Sequence, residues 1–123
     1  MVYTTGLINN TKDGGTSAAN VIVNITNDDP VNTALVLVKV FYTTGTGVAK
    51  TPLHFTGYYV VSGFVDIHTF SIAGVIAYEV QIEIDSSTPN LTIPTCFASD
   101  TFGNPIGDKR VLQPEFAIIP ALS

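Results

Sequence analysis

The chain has 123 residues and a net charge of −5, with only 12% charged residues against 46% hydrophobic ones, whereas an ordinary soluble domain carries about 25% charge. The length suits one domain with one core, and no stretch approaches the ~20 apolar residues of a membrane helix. The five basic residues, Lys12, Lys39, Lys50, Lys109 and Arg110, form no stripe, which argues against nucleic acid and against insertion in or attraction to an anionic membrane. Two readings of the low charge remain: Thr, Ser and Asn cover the surface, or neighbouring subunits do.

Residues 1–6 carry neither the basic nor the apolar region of a signal peptide. Residues 2–8 can form a strand, and residues 9–19, rich in Gly, Thr, Ser and Asn, read as a flexible connector. Residues 1–19 are thus expected to form an arm, and residues 20–123 the folded domain. In residues 20–26, Val21, Val23 and Ile25 share one face of a short strand. After the turn residues Asn27-Asp28-Asp29-Pro30, residues 33–43 are apolar on both faces, the pattern of a strand buried between two layers or against another subunit. Thr44-Gly45-Thr46-Gly47 reads as a hairpin turn, followed by a strand that holds Pro52 and the adjacent Tyr58 and Tyr59.

Residues 64–72 alternate loosely. Residues 76–85 alternate strictly, with Ile76, Tyr78, Val80, Ile82 and Ile84 expected in the core and Ala77, Glu79, Gln81, Glu83 and Asp85 in solvent. Phe102-Gly103-Asn104-Pro105-Ile106-Gly107 closes the last hairpin, and Pro52, Pro94 and Pro114 favour edges or bulges. Turn signals every 10–15 residues or so, with no sustained helical period, predict an all-β fold: one antiparallel sandwich, jelly-roll-like, of about eight strands. Residues 116–123 are apolar to the last position but one. They form either a final core strand or a tail that docks on the next subunit.

No chemistry stands out. His54 and His68 are the only side chains suited to proton transfer near neutrality, and His68 shares its parity with Phe64, Asp66, Phe70 and Ile72. That face either lines a pocket or is a half-solvated strand. The nucleophile, phosphate-loop and zinc motifs are absent, so no enzyme and no cofactor or metal is expected. The single cysteine, Cys96, excludes an internal disulfide and reads as a buried thiol or a link to another chain. Asn27, Asp28, Asp29, Asp100 and Asp108 supply oxygens that calcium would accept, but they are also ordinary turn residues. A sugar site would lack Trp, and Tyr58 and Tyr59 point to opposite faces. Three sequons begin at Asn9, Asn24 and Asn90. Lys39, alone in an apolar strand, is either an edge guard or an isopeptide lysine with Glu79 or Glu83 as partner.

The segments Phe70-Ser71-Ile72-Ala73-Gly74, Ala77-Tyr78-Glu79-Val80-Gln81-Ile82, Phe102-Gly103-Asn104-Pro105-Ile106-Gly107 and Arg110-Val111-Leu112 resemble small β-rich proteins of spore-forming Firmicutes. The layout is similar to the jelly-roll subunits of endospore appendages. That resemblance implies a fibre in which an N-terminal connector docks into preceding subunits. Appendage subunits crosslink through cysteines in the connector, and residues 1–19 here contain none.

These observations together lead to the expectation of a structural subunit at an extracellular or spore surface. It would assemble non-covalently with copies of itself by strand addition from a terminal arm. The candidate interface is Val2, Tyr3, Leu7 and Ile8 at one end and Phe116, Ile118, Ile119 and Leu122 at the other. A ligand-binding module for glycans or a surface protein, and a viral capsid-type jelly roll, are the alternatives. On the arm reading, deleting residues 1–19 leaves a folded domain that does not assemble.

Overall fold

The computed structural model describes all residues 1–123 as an all-β sandwich of two antiparallel sheets, with no α-helix. In chain order the strands are β1 (Val2–Thr4), β2 (Ile8–Asn9), β3 (Thr11–Lys12), β4 (Gly15–Thr16), β5 (Asn20–Asn27), β6 (Ala34–Thr43), β7 (Thr51–Val60), β8 (Val65–Ser71), β9 (Ala77–Asp85), β10 (Thr92–Ser99), β11 (Pro105–Val111) and β12 (Ala117–Ile119). The large sheet runs β12-β1-β9-β6-β7, with β2 also on β9, and the small sheet runs β11-β10-β5-β8. Strands β3 and β4 form a separate two-stranded hairpin. Strands β7 and β8 are therefore the free edges of the two sheets on one flank, and β12 and β11 are the free edges on the other.

The period-two pattern builds the core. Val21, Val23 and Ile25 of β5 and Cys96 and Ala98 of β10 face Ala34, Val36, Val38 and Val40 of β6 and Tyr78, Val80, Ile82 and Ile84 of β9, all buried. This is the sandwich that the alternation predicts, with β6 and β9 in the middle of the large sheet.

The segment expected as one strand, residues 2–8, forms two. Thr4 lies opposite Gln81 and Ile8 opposite Tyr78, so the N-terminal segment has one residue more than β9 across this interval. Gly6, at φ +67°, absorbs the extra residue as a bulge. Residues 9–19 are tied down by Asn10, which is fully buried. Its amide nitrogen donates to the carbonyls of Ala18 (3.1 Å) and Val75 (2.8 Å), and its oxygen accepts from Ala18 N–H (2.9 Å) and the Ser17 hydroxyl (3.2 Å).

The outward face of β9 departs from the solvated pattern. Glu79 and Gln81 point outward, yet both are buried. Residues from three other parts of the chain cover them. Lys50 Nζ lies 2.9 Å from Glu79 Oε1, the Thr4 hydroxyl donates to Glu79 Oε2, and Ser123 hydrogen-bonds both ends of the Gln81 amide at 2.8 and 3.0 Å. Burial opposes ionisation of Glu79. Hydrogen bonds from Thr4, Gln81 and Lys50, with the charge of Lys50, outweigh it and hold the carboxyl below its usual range.

Candidate functional site

Of the eight terminal residues singled out from sequence, Val2, Tyr3, Phe116, Ile118 and Ile119 meet along β1 and β12 within their own chain, whereas Ile8 lies further along β9, opposite Tyr78, and Leu7 beside it. Strand β1 is sandwiched between β9 and β12, with Val2 opposite Ile119 and Tyr3 opposite Ile118. Val2, Tyr3 and Phe116 are buried, and the Tyr3 and Phe116 rings meet edge-on at 5.9 Å. Ile8, Ile119 and Leu122 are half-buried, which leaves Leu7 and Ile118 as the exposed members.

Lys39 lies on the outer face of β6, the central strand between β7 and β9. Its ammonium donates to the main-chain oxygen of Ser123 at 2.8 Å and sits over the rings of Phe41 and Phe55. Glu79, one of its expected partners, is engaged by Lys50 instead. Cys96 is buried and unpaired, and burial pushes its thiol up to about 12.

The acidic turns serve the fold. Asp29 accepts from the Thr88 hydroxyl, the main-chain N–H groups of Val31 (2.8 Å) and Asn32 (2.9 Å), and the Asn32 side chain (3.0 Å). These donors, Thr88 first, hold its carboxyl far below the usual range. They also tie the β5–β6 turn to the β9–β10 connection. No three His, Cys, Asp or Glu side chains gather as a metal would require.

The flank that β7 and β8 form is unlike the rest of the surface. Residues 51–72 contain one charge, Asp66. Seven of the sixteen large exposed apolar side chains fall between residues 53 and 67: Leu53, Phe55, Tyr59, Val61, Phe64, Val65 and Ile67. Tyr59 is 73% exposed and Ile67 69%. Leu53, Phe55 and Tyr59 flank the β7 edge on the outer side of the large sheet, and Val65 and Ile67 flank the β8 edge on the outer side of the small one.

The inward side of this flank is polar and aromatic. His54 Nε2 lies 2.8 Å from the Ser71 carbonyl, and the Tyr58 and His68 rings stack at 4.2 Å. His68 Nδ1 hydrogen-bonds Asp66. Burial, and then the Asp66 charge, raise the Tyr58 hydroxyl above its ordinary range. These contacts stitch β7 to β8 across the sandwich, and they occupy both histidines. The set holds no nucleophile activated by a neighbouring base. From sequence, the parity of Asp66, His68 and Phe70 pointed to this inward row, but its partners on β7 did not emerge.

Neither family models, curated proteins nor solved structures yield a match to this chain.

Proposed function

We propose that this protein is a structural subunit that assembles with copies of itself, without covalent links, into an extracellular filament or spore-surface layer. One observation carries the reading: two neighbouring sheet edges, β7 and β8, end on a flank whose own outward side chains are uncharged and largely apolar. Monomeric β proteins blunt such edges with Lys, with outward charge or with a covering segment. Here the only charge, Asp66, is turned inward against His68. An unpaired edge flanked by Phe55, Tyr59, Val65 and Ile67 offers main-chain hydrogen bonds and apolar burial together, which is the basis of strand addition.

The arm form of this reading requires β1 to leave β9 and expose Tyr3. Association through the β7–β8 flank requires no rearrangement, and we favour it. The test is negative-stain electron microscopy and size-exclusion chromatography of the wild type and of Phe55→Lys with Ile67→Lys. Wild-type polymers that become folded monomers in the double variant are the expected outcome. A wild type that stays monomeric at high concentration would sink the proposal.

A further inference from the structure

We propose that Thr4 and Gln81 join through an ester bond, formed without an enzyme, that clips strand β1 to strand β9 with Glu79 as the base. Thr4 and Gln81 are direct cross-strand partners in the β1–β9 ladder, and both are buried on the outward face of the large sheet. The Cβ atoms of such a pair lie about 4.5–5.5 Å apart, a span that the ester path Cβ–Oγ1–Cδ–Cγ–Cβ reaches.

The surrounding contacts set a nucleophile, a base and an electrophile side by side. The Thr4 hydroxyl donates to Glu79 Oε2 and accepts from the Gly6 N–H at 3.0 Å, which leaves one lone pair free for attack. The Gln81 amide nitrogen donates to the same oxygen, Glu79 Oε2, at 2.9 Å. One carboxylate oxygen therefore touches both the proton that must leave and the nitrogen that must receive it. The Gln81 carbonyl oxygen accepts from the Ser123 main-chain N–H at 2.8 Å, a donor placed where negative charge develops during attack. Lys50 Nζ lies 2.9 Å from Glu79 Oε1 and leaves Oε2 to the reacting groups.

Thr4 Oγ1 attacks Gln81 Cδ as its proton passes to Glu79. The tetrahedral intermediate collapses with cleavage of the Cδ–Nε2 bond, and Glu79 hands the proton to the departing nitrogen. Ammonia leaves, the carboxylate is regenerated, and no oxidant or cofactor is consumed. The reaction occurs once per chain, so it need only be fast against the life of the protein, and burial of Gln81 keeps water from hydrolysing the product. Two other nucleophiles are near. Lys50 engages the opposite carboxylate oxygen, and the Ser123 hydroxyl accepts from the Gln81 nitrogen at 3.0 Å with no base beside it. Thr4 alone shares an oxygen of the base with the amide that must depart. The bond lies within one chain and does not depend on self-assembly.

The experiment is intact-mass spectrometry of the full chain, followed by denaturation, trypsin digestion and fragmentation. The wild type is expected to be lighter than its sequence by one ammonia, and trypsin to release residues 1–12 joined to residues 51–109. Fragmentation places the link at Thr4 and Gln81, and hydroxylamine, which cleaves esters and spares amides, separates the two peptides. No Asn-Gly step, the usual source of ammonia loss through a succinimide, occurs in the chain. Thr4→Ser keeps the mass loss, whereas Thr4→Val and Glu79→Gln show the full mass. The proposal is overturned by a wild type that keeps its full mass after long incubation at neutral pH, by a link that resists hydroxylamine, by fragments that place it at Lys50 or Ser123, or by ammonia loss that persists in Thr4→Val. The wild-type fragments decide the matter whether or not the variants fold.

Discussion

On the flank where β11 and β12 lie, the large sheet is finished by the chain's own first and last strands. Strand β12 covers β1, Tyr3 packs on Phe116, and Ser123 reaches over Gln81 and Lys39. The free edges there are β12, only three residues long, and β11, which carries Asp108, Lys109 and Arg110. On the opposite flank the free edges β7 and β8 are ten and seven residues long, and their outward residues include Phe55, Tyr59, Val65 and Ile67. The apolar termini, which look adhesive in the sequence, are mostly consumed inside the fold, with Leu7 and Ile118 left exposed. Most of the apolar surface that remains available comes from the middle of the chain, between residues 53 and 67. Hydrophobicity of a segment therefore says little about assembly until its partner strand is known.

The largest expected effect is at the covered flank. Removing residues 1–19 strips Val2, Tyr3, Asn10 and Ala18 from the interior and leaves one edge of β9 unpaired, so the chain is expected to lose its cooperative thermal transition by circular dichroism. Tyr3→Ala is the milder form and should cost about 3–5 kcal/mol in denaturant unfolding. A truncated chain that melts like the wild type would show that the first 19 residues are a dispensable arm after all.

Asn10→Ala comes next. It deletes the amide that joins the β3–β4 hairpin to the Val75 carbonyl and leaves buried partners unpaired, at about 1–3 kcal/mol. By contrast, Ile67→Lys is expected to change stability by less than about 0.5 kcal/mol, and Phe55→Lys, which gives up the Lys39 ammonium over its ring, by about 0.5–1 kcal/mol. Equal losses at Tyr3 and Phe55 would erase the distinction between the flanks.

The acid limb of stability sharpens the same picture. Asp29 and Glu79 titrate below their ordinary range in the folded chain. The unfolded chain thus takes up protons first as the pH falls. Their contribution is full above the ordinary carboxylate pKa of about 4 and is lost as pH drops through the folded values. Melting temperature should fall between about pH 5 and pH 2. Thr88→Val, which removes the first donor to Asp29, should shallow that slope.

Much of the fold was legible in the sequence. The parity of Val21, Val23 and Ile25 and of Tyr78, Val80, Ile82 and Ile84 predicts both strands and their buried faces, because period two is a local property; Ile76, expected in the core with them, instead precedes β9 and is exposed, while Ala77, expected in solvent, is buried. What was not legible depends on distant partners. Asn10 looks like a loop residue, and only the Val75 carbonyl, 65 positions away, makes it an anchor. Glu79 and Gln81 look solvated because alternation cannot foresee Thr4, Lys50 and Ser123 closing over them. The stack of Tyr58 on His68 needs the crossing from one sheet to the other.

The lone thiol of Cys96 offers a clock. It sits at the centre of β10 between β5 and β11, with its pKa pushed up to about 12. A thiol reagent can reach it only when the small sheet opens, and the opened chain reacts at the rate of an ordinary cysteine. The labelling rate of the native protein then measures how often the sandwich comes apart. Joining copies at the β7–β8 flank should slow that rate, even though no subunit contact comes near the sulfur.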